Sequence, residues 1–251
     1  MNFETKTYVV NLRRSRERRL DMKTKLESEN VNFEFFEAVD GKLECHELFE
    51  RYDRRRSLRN HGFELSAGEL GCYASHFLLW EKSIQENINM LILEDDINLC
   101  QNFTAAMEFA EQEIKRFGLI RFSAHKHRKI AICKKSETGM RIVRFKRGPH
   151  GTSAYMISPV AAKKLVNAAK VWFEPVDVHL DRFWKHGVGS FGVQPYPVHH
   201  MGMSAAKSEI WQGERRGSRS AKFRREARLI RMKDSILRSL ANIAYTGRWI
   251  E

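Results

Sequence analysis

Apolar and polar positions change period along the chain, and the changes mark its elements. Thr7–Leu12 (TYVVNL) is a short apolar run that predicts a buried strand. Ser15 caps a charged helix reaching about Asn30, with Leu20, Met22 and Leu26 as its inner side. Phe33–Val39 (FEFFEAV) predicts a second strand, closed by an Asp40-Gly41 turn. Leu43 to Asn60 is polar and arginine-rich, a loop with helical pieces. Ser66 opens a stronger helix. Glu69, three residues on, makes a capping box. Leu70, Tyr73, Ala74, Phe77, Leu78, Glu81 and Ile84 then follow a helical period, with Glu81 alone breaking the apolar stripe. Asn87 and Asn89 end it. Met90–Leu93 (MLIL) is apolar without a break and predicts a central strand, with Glu94-Asp95-Asp96 directly after it. A helix follows over Phe103–Arg116.

Gly118–Lys146 predicts short strands joined by polar loops, and Gly148–Gly151 a turn. Ser153–Ile157 (SAYMI) is a strand, and Ser158-Pro159 opens a helix carrying Ala161, Ala162, Leu165, Val166 and Ala169. Pro175–Trp184 and Phe191–His200 complete the domain. Strands alternating with helices predict an α/β fold with a mostly parallel central sheet over residues 1–204. Residues 205–251 form an appendage.

Composition narrows the class. Of 251 residues, 42% are apolar and 11% aromatic, enough for a large core, so a wholly disordered chain is excluded. No apolar stretch approaches the roughly 20 residues a membrane-spanning helix needs. The N-terminus shows no basic-then-apolar signal pattern, so a cytoplasmic protein is expected. Cys45, Cys72, Cys100 and Cys133 form no CxxC pair, which argues for free thiols rather than a cysteine-based zinc site. The net charge is +13, and it is unevenly placed. From Ala205 to Glu251 there are 12 Lys/Arg against five acids, so this segment carries +7 of the excess. Phe223, Ala227, Ile230, Leu237, Leu240 and Ala244 recur there at helical spacing on one face. A basic amphipathic helix of this kind fits an anionic membrane surface. A terminal helix packed on the domain, or one bound to nucleic acid, are the alternatives.

The Glu94-Asp95-Asp96 triplet carries the most chemistry. Three adjacent carboxylates repel one another and gain no packing, and ligands of open α/β sheets bind at the carboxyl ends of strands. Hard oxygen ligands there suit Mg²⁺ or Mn²⁺ completed by substrate phosphates. A solvated acidic turn is the structural alternative. Arginines 13, 14, 16, 18 and 19 after the first strand, the Asp40-Gly41 turn after the second, and His199-His200 near the end of the core also point toward a phosphate-bearing substrate.

These segments, in this order, resemble glycosyltransferase family 25, the lipopolysaccharide and lipooligosaccharide sugar transferases related to the collagen galactosyltransferases. YVVNLRRSRERR resembles the family's first strand and arginine helix, and FEAVDG its second motif. LSAGELGCYASHFLLW (Leu65–Trp80) is the most specific match. LILEDDINL is similar to its acidic motif, and GTSAYMISPVAAKKL and EPVDVHLDRFWKHG to its last core segments. The resemblance covers about residues 7–200. It implies a GT-A-like nucleotide-sugar-binding fold, a UDP-sugar donor, a divalent metal, and transfer with inversion to a sugar hydroxyl. The sugar would be a hexose, galactose first and glucose second. The acceptor would be lipooligosaccharide or lipopolysaccharide, met on the inner face of the bacterial inner membrane.

By the same resemblance Asp96 is the direct metal ligand, and Glu94 contacts the ribose or a metal-bound water. Asp95 does either, and His199 supplies a late metal or diphosphate contact. Asn11 and Asp40 are candidates for the uridine, and Arg13 or Arg18 for phosphate. Asp177, in the PVD segment, is the first choice for the general base, with helix capping after Pro175 as its structural alternative. Asp181, four residues on, is the second choice. Gly151 and Thr152 border the acceptor pocket. His76 is as readily a satisfied buried histidine as a reactive one, and Cys72 is expected to pack rather than attack. Two rivals share parts of this signature: a metal-dependent nuclease or phosphoesterase, and a non-enzymatic basic nucleic-acid-binding protein. Neither accounts for the ordered motif set, so a nucleic-acid partner is not expected.

Overall fold

The computed structural model describes residues 5–201 and 221–243, with side chains from 225 onward in the second span. In chain order the elements are β1 (Lys6–Asn11), α1 (Arg16–Ser28), β2 (Phe33–Glu37), a 3-10 turn (Glu47–Arg51), α2 (Arg54–His61), α3 (Ala67–Glu86), β3 (Met90–Glu94) and β4 (Ile97–Leu99). There follow α4 (Phe103–Phe117), β5 (Leu119–Arg121), β6 (Ile130–Lys135), β7 (Arg141–Phe145), β8 (Ala154–Ile157) and α5 (Pro159–Ala168). Then come α6 (Val176–Leu180), α7 (Phe183–His186), β9 (Phe191–Gln194), β10 (Val198–His200) and α8 (Ala221–Ile243).

Eight strands form one sheet in the order β2-β1-β3-β8-β5-β9-β7-β6, and β4 pairs with β10 in a separate ribbon. The α/β layering expected from the sequence is present. Parallel pairing joins β2, β1 and β3, and also β5 with β9. Antiparallel pairing joins β3 and β5 to β8, and β7 to β6 and β9. The unbroken apolar run of β3 has a direct cause. Met90 and Ile92 face one core with Tyr73, Phe77, Trp80, Leu165 and Trp172. Leu91 and Leu93 face the other, with Met22, Leu26, Phe103 and Met107. A strand covered on both faces has no polar side to show. On α1, Met22 and Leu26 are buried as expected, but Leu20 is 66% exposed.

The capping box of α3 forms: Ser66 accepts from Glu69 N, and the Glu69 carboxylate accepts from Ser66 N. This helix meets the loop after β2 backbone to backbone. A Cβ on Gly41 would lie 2.0 Å from Ala67 O, and one on Gly71 2.4 Å from Val39 O. Ser75 Oγ locks the contact, accepting from Val39 N at 2.9 Å and donating to Gly71 O at 2.8 Å. The loop and α3 thus form one wall beside the end of β3.

The expected tail helix is present as α8, packed on α2 and α7. Its inward stripe differs from the expected one. Ala227 is buried and Ile230 and Leu237 are half-buried, but Leu240 faces water. The Phe223 side chain, Ala244, and the rest of the tail at 205–220 and 245–251 lie outside the described residues. Among the described residues no helix is long and apolar enough to cross a membrane.

Candidate active site

The parallel strands β1, β2 and β3 end together, and their ends make the site. Asp95 and Asp96 sit in the tight connection from β3 to β4, both largely buried. Asn11, the last residue of β1, donates through Nδ2 to Asp95 Oδ2 at 2.7 Å. Arg18 on α1 donates to Asp95 Oδ1 at 3.1 Å and approaches Asp96 Oδ2 at 3.8 Å. Burial raises the Asp95 carboxyl above its ordinary value despite these two partners. Asp95 is therefore engaged in holding the turn, and its oxygens are spent on the protein.

Asp96 is different. His200 Nε2 lies 3.2 Å from its Oδ2, while His200 Nδ1 donates to Met201 O at 2.7 Å. The hydrogen bond to Asp96 lifts the imidazole, against burial, to about 9. Burial alone would raise the Asp96 carboxyl, but His200 and Arg18 outweigh it and leave it below its ordinary value. Its second oxygen, Oδ1, is buried with no hydrogen-bond partner. An ionised carboxylate with an unused buried oxygen is a ready donor for a hard cation.

Glu94 completes the set. Thr152 Oγ1 donates to Glu94 Oε1. A buried relay approaches the same oxygen. Trp80 Nε1–H donates to Tyr155 Oη at 2.8 Å, which leaves the tyrosine proton for His76 Nδ1, also at 2.8 Å. The proton of His76 then sits on Nε2, facing Glu94 Oε1 at 3.5 Å. Cys72 Sγ belongs to this group, since it, His76 and Glu94 place ligand atoms within 4.8 Å of one another. A protonated Nε2 argues against a soft metal there, and burial holds the Cys72 thiol well above its ordinary value. The carboxylates of Glu94 and Asp96, which line the same two cavities, suit Mg²⁺ or Mn²⁺ better by donor type.

Two cavities share Cys72, Glu94 and Asp96. One, about 670 Å³ with its mouth, lies among Arg14, Arg18, Val39–Lys42, Ser75 and His76. The other, about 1270 Å³, lies among His61, His125, His150, Thr152, Asp177 and His200. In the second, Asp177 accepts from Val178 N at 2.8 Å and Gly151 N at 3.3 Å, with His150 Nδ1 at 3.6 Å. Burial raises this carboxyl, but His150 and the Gly151 amide more than compensate and keep it ionised at neutral pH.

A model of glycosyltransferase family 25, described as an LPS biosynthesis protein family, matches residues 4–180. The chain belongs to this family. Its relatives include lipooligosaccharide biosynthesis protein lic2B of Haemophilus influenzae, 31% identical over 170 residues, which are 63% of this chain and 61% of that protein. Procollagen galactosyltransferase 1-A of Xenopus laevis is 26% identical over 227 residues, 80% of this chain and 37% of its own length. Procollagen galactosyltransferase 2 of mouse is 27% identical over 241 residues, 82% of this chain and 38% of its own length. The chain thus spans less than two thirds of each of these relatives.

Within this family 25 chain, the structure brings some of the candidate residues together and leaves others apart. Asn11, Arg18, Asp40, Glu94, Asp95 and Asp96 converge on the ends of β1, β2 and β3, and Asp177 faces Glu94 and Asp96 across the second cavity. Three candidates fall elsewhere. Arg13 is exposed and does not line the cavity; Arg14 enters it and pairs with Asp40. His199 is exposed, because alternation along β10 turns it away and brings His200 to Asp96. Asp181 is only 7% exposed, bound to Arg121 at 2.7 Å and to His150 N at 3.0 Å, and covered by Gly148. It serves as a buried counter-ion and lines a different cavity, against α8. Thr152, expected at the acceptor pocket, also anchors Glu94. His150 and His125, in the second cavity, carried no local signal in the sequence.

Proposed function

We propose that this chain is an inverting transferase that moves a hexose, galactose first and glucose second, from a UDP-sugar to a hydroxyl of a lipooligosaccharide or lipopolysaccharide acceptor. The observation that carries the reading is that Glu94 and Asp96, the latter with a buried Oδ1 that has no hydrogen-bond partner, both line the two cavities. One cavity carries Arg14, Arg18 and Lys42 beside Asp40, Glu94, Asp95 and Asp96, so a nucleotide diphosphate would sit there with a divalent cation between it and the acids. The other holds the ionised Asp177. Asp96 and Glu94 would hold Mg²⁺ or Mn²⁺, which neutralises charge on the departing diphosphate when bound. Arg18 and Arg14 steer the phosphates into the first cavity, Asp40 borders the uridine, and Asn11, buried and outside the cavity lining, holds Asp95 from behind. The acceptor oxygen bonds to the anomeric carbon as the bond from that carbon to the diphosphate oxygen breaks. Asp177 takes the hydroxyl proton, a contribution of typically 10²–10⁴-fold. The other relatives' names favour galactose, and that of lic2B favours a lipooligosaccharide acceptor. In this reading the enzyme works at the inner face of a bacterial inner membrane.

The test is UDP release from a panel of UDP-sugars with Mn²⁺, with Mg²⁺ and with chelator, for the wild type and Asp96→Ala. Metal-dependent turnover of one donor, lost in the variant, is the expected result. Absence of turnover and of nucleotide-sugar binding across the panel would overturn the reading and favour a nuclease or nucleic-acid-binding role.

A further inference from the structure

An ordinary surface helix hides its apolar stripe and shows its polar face. On α8 the arrangement is reversed. Leu229, Met232, Ile236, Leu240 and Ile243 recur at three- and four-residue spacing, which aligns them on one side. They are 65%, 56%, 58%, 57% and 74% exposed. The opposite side is fastened to the core largely by polar contacts. Asp234 pairs with Arg182 and accepts from Trp184 Nε1 at 3.4 Å. Asn242 Nδ2 donates to Lys146 O at 2.9 Å, and Arg144 donates to Ala241 O at 3.2 Å. Ala227 is fully buried. These contacts fix which way the helix faces.

The charge on the outward side is of one sign. Arg225, Arg228 and Lys233 are exposed along the stripe and its edges. The two carboxylates of the described helix side chains are both turned to partners, Asp234 to Arg182 and Glu226 to Arg59 at 3.8 Å. A second copy of this face would bring cations against cations. Nucleic acid would use the cations and leave the aliphatic stripe in water. An anionic bilayer satisfies both, with phosphates for the cations and acyl chains for the stripe.

We propose that the outward face of α8 docks the protein on an anionic lipid surface. Leu229, Met232, Ile236, Leu240 and Ile243 enter the acyl boundary, and Arg225, Arg228 and Lys233 lie at headgroup level. The inner side of the same helix, at Ile230, Asp234 and Ser235, lines a cavity with His61, His150 and Asp181. His61 and His150 also line the Asp177 cavity. Docking therefore brings the acceptor side of the site to about one helix diameter, ~10 Å, from the bilayer. The docking stands on the helix alone and does not require the transferase reading.

The test is co-sedimentation of the full chain with vesicles of phosphatidylcholine, with and without phosphatidylglycerol. The wild type is expected to bind the phosphatidylglycerol vesicles and to be released by salt. Ile236→Asp with Leu240→Asp is expected to lower partitioning by roughly 100-fold at an unchanged melting temperature, since both side chains face water. Arg225→Gln, Arg228→Gln and Lys233→Gln are each expected to lower it about 5-fold. Equal binding by the double aspartate variant, or no binding by the wild type, would overturn the proposal. So would a wild-type dimer in light scattering that the aspartates dissolve, which would assign the face to a second copy.

Discussion

Asp177 and Asp181 stand four residues apart, and replacing each with asparagine should produce opposite phenotypes. Both oxygens of Asp181 accept from buried donors, Arg121 Nη2 at 2.7 Å and His150 N at 3.0 Å. An amide has one accepting oxygen, so Asp181→Asn sets its NH₂ against one of those donors. It also leaves the Arg121 guanidinium, 2% exposed, without its hydrogen-bonded carboxylate. Removing one partner of a buried pair costs about 3–5 kcal/mol. The retained hydrogen bond places this variant near the lower figure. For a chain of this size, about 3 kcal/mol lowers the melting temperature by roughly 6–12 °C. Asp177 is far more accessible, with 28% of its side chain exposed, and its best contact, from Val178 N, survives in an amide. Asp177→Asn should melt within about 4 °C of the wild type, but lose roughly 10²–10⁴-fold in kcat. Differential scanning fluorimetry and initial rates on the donor found by UDP release, taken well below both melting points, separate the two. An Asp181→Asn protein that melts normally and is inactive, or an active Asp177→Asn protein, would refute the assignment.

Tyr155→Phe strands Trp80 Nε1–H and frees the His76 tautomer, so it should lower kcat roughly 10–100-fold with little change in donor KM, and cost about 1–3 kcal/mol in denaturant melts. An equal rise in KM would instead mean that the donor pocket had collapsed. His186 is buried as the neutral Nε2–H tautomer, donating to His179 O and accepting from Val188 N, and burial lowers its pKa to about 3. The unfolded chain then binds more protons below the ordinary value of 6.5, so stability falls as pH drops through that value, by about 2 kcal/mol between pH 7.5 and 5. Urea midpoints against pH should flatten by that amount in His186→Gln, and an unchanged slope would contradict the reasoning. Gly71→Ala forces a Cβ to 2.4 Å from Val39 O, so it should cost roughly 1–3 kcal/mol and raise the donor KM at least about tenfold. A wild-type KM would show that the loop after β2 does not border the donor.

Local features carried much of this picture. The capping box of α3 formed as written because its two hydrogen bonds lie within four residues of one another. The β3 run followed by acids marked the candidate site because a strand buried on both faces and a carboxylate cluster at its end are each visible locally. The choice between His199 and His200 was not visible. It depends on the antiparallel register of β10 on β4, which sets His200 beside Ile97 and so next to Asp96. Arg14 and Arg13 are likewise equivalent in composition and are distinguished only by where the turn after β1 points. Asp181, the second choice for the base by its spacing, is bound instead to Arg121, 60 residues away on β5. On α8 the helix was legible, but its orientation is set by Arg182, Arg144 and the Lys146 carbonyl.

The sequence alone determined the order of strands and helices, the family's ordered motifs, the acidic cluster at the end of β3 and the basic charge of the last helix. Those properties depend on periodicity and near neighbours, whose interactions are fixed by backbone geometry. The tertiary structure decided the mixed pairing of the sheet, the carboxylate left with a free oxygen, and which of two nearby aspartates is a counter-ion. It also decided which side of α8 meets water. Those outcomes turn on which distant donor reaches a buried acceptor, and that is settled only when the layers pack.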